Sequence, residues 1–313
     1  MSVKIVNLDA QTLGDADLSE LERFGEYISY PLTSYEQTLE RAQGAQVILT
    51  NKVVLDKPLL QQLKSLELIC VTATGTNIID MECAKELGIE VKNVAGYSTL
   101  SVAQHTLTMA LDCLSQIHYY DTYVKSGQWC KSPIFTHLAK GRRGLAGLKW
   151  GIIGFGSIGR RVAHLASAFD AQVCYASTSG KNNDTTYPRL ELDELLSTSD
   201  IISIHAPLNQ DTLNLINIDK LALLKQDAIL INVGRGGIVN ETDLATALKN
   251  GAQLYYACDV LEQEPMRADH LFLDSSIQSR LLITPHIAYA YGDSLKQLIA
   301  ISIENVRSFL ANR

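Results

Sequence analysis

Residues Trp150-Gly151-Ile152-Ile153 run directly into Gly154-Phe155-Gly156-Ser157-Ile158-Gly159, after which Ile158, Val162, Leu165, Ala166 and Phe169 recur at helical spacing. A short apolar run, a turn with three glycines and an amphipathic helix make a strand–turn–helix unit. That order commits the surrounding chain to a parallel α/β layer. Gly154 permits the tight turn, and Gly156 lets the backbone approach a pyrophosphate. Gly159 lets the helix pack against the strand, with the phosphates at the helix N-terminus beside Phe155, Ser157 and Ile158. A glycine-rich turn that binds nothing is the plain alternative, and the flanking strand and helix weigh against it.

The rest of the chain alternates in the same way. Apolar runs at 3–8, 46–50, 67–71 and 90–94 read as strands, with helical stretches at 57–63 and 80–87 between them. One long helix is expected over 98–125, then a Gly/Lys/Arg-rich loop over 127–147. Beyond the glycine turn come strands at 172–176, 201–205, 228–233, 254–258 and 281–284, and an amphipathic helix at 294–310. A chain of 313 residues, 46% of them hydrophobic, suffices for two such α/β units with separate cores.

Several function classes drop out. A net charge of −7 with no Lys/Arg stripe argues against a nucleic-acid partner. No segment approaches the roughly 20 apolar residues of a membrane span, and the start of the chain lacks the apolar core and cleavage site of an export signal. A cytoplasmic protein is expected. Cys70, Cys83, Cys113, Cys130, Cys174 and Cys258 are scattered without a Cys-x-x-Cys pair, which favours free thiols over a disulfide framework or zinc site. No His/Cys ligand cluster is present, so no metal is expected.

Chemistry concentrates in the last third. Asn232-Val233-Gly234-Arg235-Gly236-Gly237, Asp259-Val260-Leu261-Glu262-Gln263-Glu264-Pro265 and Thr284-Pro285-His286-Ile287-Ala288 each follow an apolar run. They supply a permanent cation, a carboxylate and an imidazole. A guanidinium grips a carboxylate with two prongs, and a carboxylate beside an imidazole favours its charged form and fixes its tautomer. Together these groups suit proton delivery to a bound keto acid. The plain alternatives are a structural Arg235–Glu264 ion pair and a strand-end His286 satisfied by a carbonyl. Glu262 reads as a solvated charge, and His105 as a packed or interdomain histidine.

With Val71-Thr72-Ala73-Thr74-Gly75-Thr76-Asn77, Asn93-Val94-Ala95-Gly96-Tyr97-Ser98-Thr99, Ser101-Val102-Ala103-Gln104-His105 and His205-Ala206-Pro207-Leu208, these motifs stand in the order found in D-isomer-specific 2-hydroxyacid dehydrogenases. The chain resembles that family along nearly its whole length. The run from Val94 to His105 is most similar to the glycerate dehydrogenase, or hydroxypyruvate reductase, branch. The resemblance implies two doubly wound domains: a flavodoxin-like substrate domain of residues 1–97 plus 288–313, and an inserted Rossmann cofactor domain of residues 98–287. It implies crossings at 96–98 and 287–291, a substrate cleft between the domains, and a terminal helix returning to the first domain. Hydride transfer to a small 2-keto acid such as hydroxypyruvate or glyoxylate is implied, with His286 as general acid, Glu264 orienting it and Arg235 on the substrate carboxylate. Thr74, Gly75 and Thr76 would complete the carboxylate site. His205, Ala206, Pro207, Val233, Gly234 and Asp259 would join the glycine turn in holding the dinucleotide, with a structural turn acid the plain alternative for Asp259. A homodimer through the cofactor domain, with residues 98–140 contributing, is also implied.

One position departs from the NAD-dependent pattern. An Asp or Glu about 20 residues after the glycines ordinarily binds the ribose hydroxyls, whereas here the strand at 172–176 ends in Ser177-Thr178-Ser179-Gly180-Lys181. Without the acid a 2′-phosphate is not repelled, and Ser177, Ser179 and Lys181 offer it hydrogen bonds and a cation. NADP(H) is therefore favoured, with NAD(H) possible, although the usual arginine of an NADP site is missing. A D-lactate-type dehydrogenase, a formate or phosphite dehydrogenase on the same fold, and a cofactor-sensing corepressor are the competing readings.

Overall fold

The computed structural model describes residues 2–138 and 142–313. The chain forms two compact units, one of Met1–Ser98 with Tyr289–Arg313 and one of Thr99–Ala288. The loop expected over 127–147, and the 98–140 segment named for the dimer, each include residues outside the described ones.

In the first unit, β1 (Lys4–Asn7), β2 (Glu26–Ser29), β3 (Val47–Thr50), β4 (Leu68–Val71) and β5 (Glu90–Asn93) form one parallel sheet in the order β2-β1-β3-β4-β5. This is the flavodoxin-like order. Strands β3 and β4 are buried along their length, which is why they read as unbroken apolar runs. Helices α1 (Tyr35–Ala42), α2 (Lys57–Leu60) and α3 (Met81–Glu86) supply Ala42, Leu60, Cys83 and Ala84 to a core with Val6, Ile48, Ile69 and Val71. Asp56 and Asp80 cap α2 and α3 through the amides of Leu59 and Cys83. Strand β2 was not expected from the sequence; it is an edge strand without a buried face and with little apolar alternation.

The second unit opens with α4 (Thr99–Ser115) and α5 (Ile117–Lys125). The single helix expected over 98–125 is broken at Gln116, which takes a left-handed φ of 57° and caps the Cys113 carbonyl with its side-chain amide at 2.8 Å. There follow β6 (Lys149–Ile153), α6 (Ser157–Ala168), β7 (Gln172–Ala176), α7 (Leu192–Thr198), β8 (Ile201–Ile204), α8 (Ile218–Leu221), β9 (Ala228–Asn232), α9 (Glu241–Lys249), β10 (Leu254–Cys258) and β11 (Leu281–Ile283). The six strands pair in parallel in the order β11-β10-β9-β8-β6-β7.

Alternate residues of these strands enter opposite cores. Ile152, Ile201, Ile229 and Ile231 pack with α4 and α6, while Ile153, Ile202, Ile204 and Leu230 pack with α7 and α9. From β6 the chain winds out to β7 and returns past its starting point to β8. That reversal between β6 and β8 is the switch point where open α/β sheets bind ligands, beyond the carboxyl ends of the strands.

The chain then re-enters the first unit as α10 (Gly292–Ala311), whose Leu298, Ile303 and Val306 pack on Ile5, Val47, Leu49, Leu68 and Cys70. The two faces of the first sheet are thus covered by α1–α3 and by α10.

Candidate active site

The glycine turn lies at the switch point. Gly154 has φ +88°, and a Cβ there would sit 2.7 Å from the Ala206 amide nitrogen and 2.8 Å from the His205 carbonyl carbon. Any side chain at 154 would force β6 and β8 apart. A Cβ on Gly159 would come within 2.4 Å of the Gly154 carbonyl oxygen, so the helix lies against the turn as expected, whereas one on Gly156 would meet nothing within 4 Å. The N-terminal end of α6 therefore presents backbone at Gly156, Ser157 and Ile158 with room beside it, and Phe155 is buried behind them. The cradle fits a pyrophosphate. At the end of β8, His205 Nε2 lies 3.0 Å from Ser203 Oγ, while its buried Nδ1 has no partner among the described residues. Burial pushes this imidazole down to about 3, so it is neutral at working pH.

Arg235, Glu264 and His286 follow three adjacent strands, β9, β10 and β11, in which Cys258 pairs with both Asn232 and Ile283. The Arg235 turn is tied down by Asn232, whose Nδ2 donates to the Arg235 carbonyl at 2.9 Å and whose Oδ1 accepts the Gly234 amide at 3.1 Å. A Cβ on Gly236 would fall 2.0 Å from the Leu261 carbonyl carbon, so this turn and the one after β10 meet backbone to backbone. Glu264 accepts the Leu261 amide on Oε1 at 3.0 Å and contacts His286 Nδ1 through Oε2 at 2.6 Å. With Nδ1 donating to the carboxylate, Nε2 is the nitrogen able to exchange a proton with a substrate.

His286 has a left-handed φ of 54°, unusual outside glycine. The backbone just beyond it is held by Asp259, a carboxylate that is 1% exposed and accepts the amides of Ile287 and Ala288, both at 2.8 Å, and the Thr284 hydroxyl at 2.6 Å. His105, buried on α4, reaches the same hydroxyl at 3.0 Å, and desolvation lowers its pKa against the opposing pull of Asp259.

On the far side of the sheet, Ser177, Ser179 and Lys181 follow β7 in one loop. Two further residues that no motif marked belong here. Asn182 donates to the Phe155 carbonyl and accepts from Arg160 at 3.0 Å, and Arg160 also pairs with Asp184. The pointer to Arg160 was its place in the first turn of α6, beside the expected phosphates. Pro207 and Val233 sit in the strand-end loops with Ala206 and Gly234. Thr74, Gly75 and Thr76 follow β4 in the first unit, where Thr74 Oγ1 donates to the Val94 carbonyl at 3.1 Å. Among the described residues no group of three or more His, Cys, Asp or Glu side chains is placed to hold a metal, and no helix is long and apolar enough to cross a membrane. Five cysteines are buried and Cys130 is exposed, all as free thiols.

An all-parallel sheet with a glycine cradle at its switch point defines a dinucleotide-binding protein of the Rossmann type. Residues 107–288 match the family described as D-isomer specific 2-hydroxyacid dehydrogenase, NAD binding domain. The chain is 35% identical to glycerate dehydrogenase of Methylorubrum extorquens, an alignment covering 100% of this chain and 98% of that one. It is 34% identical to hydroxypyruvate reductase of Blautia hydrogenotrophica, covering 98% and 97%. Among solved structures, the TT0316 protein from Thermus thermophilus superposes with a TM-score of 0.89 at 28% identity, covering 99% of this chain and 98% of that one. The chain belongs to the D-isomer-specific 2-hydroxyacid dehydrogenase family, in its glycerate dehydrogenase branch.

The burial of His205 has a measurable effect. The unfolded chain takes up a proton here below its ordinary value of 6.5, and the folded chain only near 3. Stability therefore falls as pH drops below about 6.5, by about 2 kcal/mol at pH 5 from this group alone. Urea unfolding followed by tryptophan fluorescence should show His205→Gln losing about that much less than the parent between pH 7 and pH 5.

Proposed function

We propose that this protein reduces a small 2-keto acid, hydroxypyruvate or glyoxylate, to the D-2-hydroxy acid. The observation that carries the reading is the 2.6 Å contact between His286 Nδ1 and the Glu264 carboxylate, one strand away from Arg235. A reduced nicotinamide held at the glycine cradle would supply the hydride for C2 of the keto acid. The protein does the rest. Arg235 grips the substrate carboxylate, and His286 Nε2 delivers the proton that the developing alkoxide oxygen requires. Glu264 holds the ring in the tautomer that makes this possible. The backbone from Gly154 to Gly159 holds the pyrophosphate, with His205, Ala206, Pro207, Val233 and Gly234 walling the dinucleotide from the neighbouring strand ends. Asp259, expected from the sequence to contact the dinucleotide, instead has its buried carboxylate taken up by two amides and a hydroxyl, so it enters this scheme through the backbone after His286.

The test is direct. Loss of NADPH or NADH absorbance should be followed with hydroxypyruvate, glyoxylate and pyruvate, comparing kcat/KM. Hydroxypyruvate or glyoxylate should lead; a pyruvate preference favours a D-lactate-type enzyme, and no turnover in protein that binds dinucleotide favours a binding role. In His286→Ala, cofactor binding should survive while turnover falls by at least about a hundredfold.

We also infer a preference for NADP(H) over NAD(H). It is supported by the absence of an acid at Ser177 and by Ser179, Lys181 and Arg160, the last paired with Asp184, lining one groove. Ser177→Asp places a carboxylate where the 2′-phosphate would lie. It should lower the NADPH/NADH ratio of kcat/KM by about tenfold or more.

Finally, we propose a homodimer through the segment after α5, where Trp129, Ile134, Phe135 and Leu138 are all exposed. Light scattering should give a dimer mass, and Phe135→Glu should shift the protein to monomer.

A further inference from the structure

The loop that carries Glu264 is clamped by a second imidazole–carboxylate pair, distinct from the proposed acid. Glu241, the first residue of α9, and His270 are both largely buried, with side chains 9% and 11% exposed. A carboxylate so far withdrawn from water needs its hydrogen-bonding capacity filled. It is filled on both oxygens: Oε1 accepts the Glu262 amide at 2.8 Å, and Oε2 lies 2.9 Å from His270 Nε2. The histidine is itself fixed. The Phe272 amide donates to His270 Nδ1 at 3.1 Å, which leaves Nε2 to carry the proton given to Glu241. Phe272 is buried, and its ring packs edge-on against His270, with centroids 4.8 Å apart.

The consequence runs through two residues of backbone. Glu262 is flanked by Leu261, whose amide binds Glu264 Oε1, and the same Glu264 side chain holds His286. Leu261 is also the residue against which Gly236 lies, next to Arg235. A charged acceptor on the Glu262 amide therefore fixes the height of the loop from which Glu264 reaches the imidazole. We propose that Glu241, oriented by His270, is a positioning residue for the reaction, acting through the 261–264 loop on the Glu264–His286 pair. The inference rests on the reading of His286 and Glu264 as the proton-delivering pair.

Five variants test it: Glu241→Ala, His270→Asn, Glu241→Gln, Glu264→Ala and the double variant Glu241→Ala/Glu264→Ala. His270→Asn keeps a side-chain acceptor for the Phe272 amide while removing the nitrogen that holds Glu241, so it serves if Glu241→Ala folds poorly. In the first two, kcat with hydroxypyruvate should fall by about tenfold while the dissociation constant for the dinucleotide stays within about twofold. Glu241→Gln, which retains one acceptor for the Glu262 amide, should recover part of the loss. If Glu241 acts through Glu264, the double variant should be no more than about twofold slower than Glu264→Ala alone. Multiplying effects in the double variant, or a normal kcat in both Glu241→Ala and His270→Asn, overturns the inference and leaves the acid/base reading standing. A normal kcat in Glu264→Ala overturns both.

Discussion

The candidate site depends on the parallel ladder that joins β9, β10 and β11. Because Asn232, Cys258 and Ile283 are in register, the three loops leave the sheet at one height and on one side. Strand pairing brings the Arg235 turn and the segments that carry Glu264 and His286 to one end of the sheet, before any side chain contributes. A one-residue slip in β10 would turn its alternation inside out and carry Glu264 away from His286. The all-buried strands β8 and β9, packed on both faces, make such a slip costly.

On that scaffold the site is held by polar groups withdrawn from water. Asp259 closes the turn after His286 with two amides and a hydroxyl, at a residue whose left-handed backbone costs roughly 1–3 kcal/mol. Each buried donor left without its acceptor would cost a comparable amount. The carboxylate thus offsets the strain that aims the imidazole. Glu241 treats the neighbouring loop similarly, with one oxygen on backbone and the other on a histidine.

How much of this could be read beforehand followed from how local each feature is. The glycine cradle was legible because its strand, turn and helix are contiguous and each glycine answers a short-range need. Arg235, Glu264 and His286 stood out as motifs, and two doubly wound, mostly parallel domains were implied by the family they resemble. The edge strand Glu26–Ser29 was not legible, since it is held by β1 alone and has no buried face to mark it. The break at Gln116 was hidden because the apolar spacing continues on both sides. The Glu241–His270 contact joins residues 29 apart, in a stretch whose composition resembles any surface loop. Arg160 was not singled out, and its partners Asn182 and Asp184 come from a loop that carries no pattern.

The division of the first unit between the two ends of the chain bears on the order of assembly during synthesis. The unit from Thr99 to Ala288 is continuous and holds its own two cores, so it can fold as soon as it leaves the ribosome. The sheet of β1–β5 emerges earlier, and Leu13, Leu18 and Leu21 supply part of the cover for Ile5, Leu49 and Leu68, but the rest comes from Leu298, Ile303 and Val306 of the last helix. Until that helix is made, one apolar face of the sheet is only partly covered, and exposed apolar surface of that kind makes incomplete chains prone to aggregate.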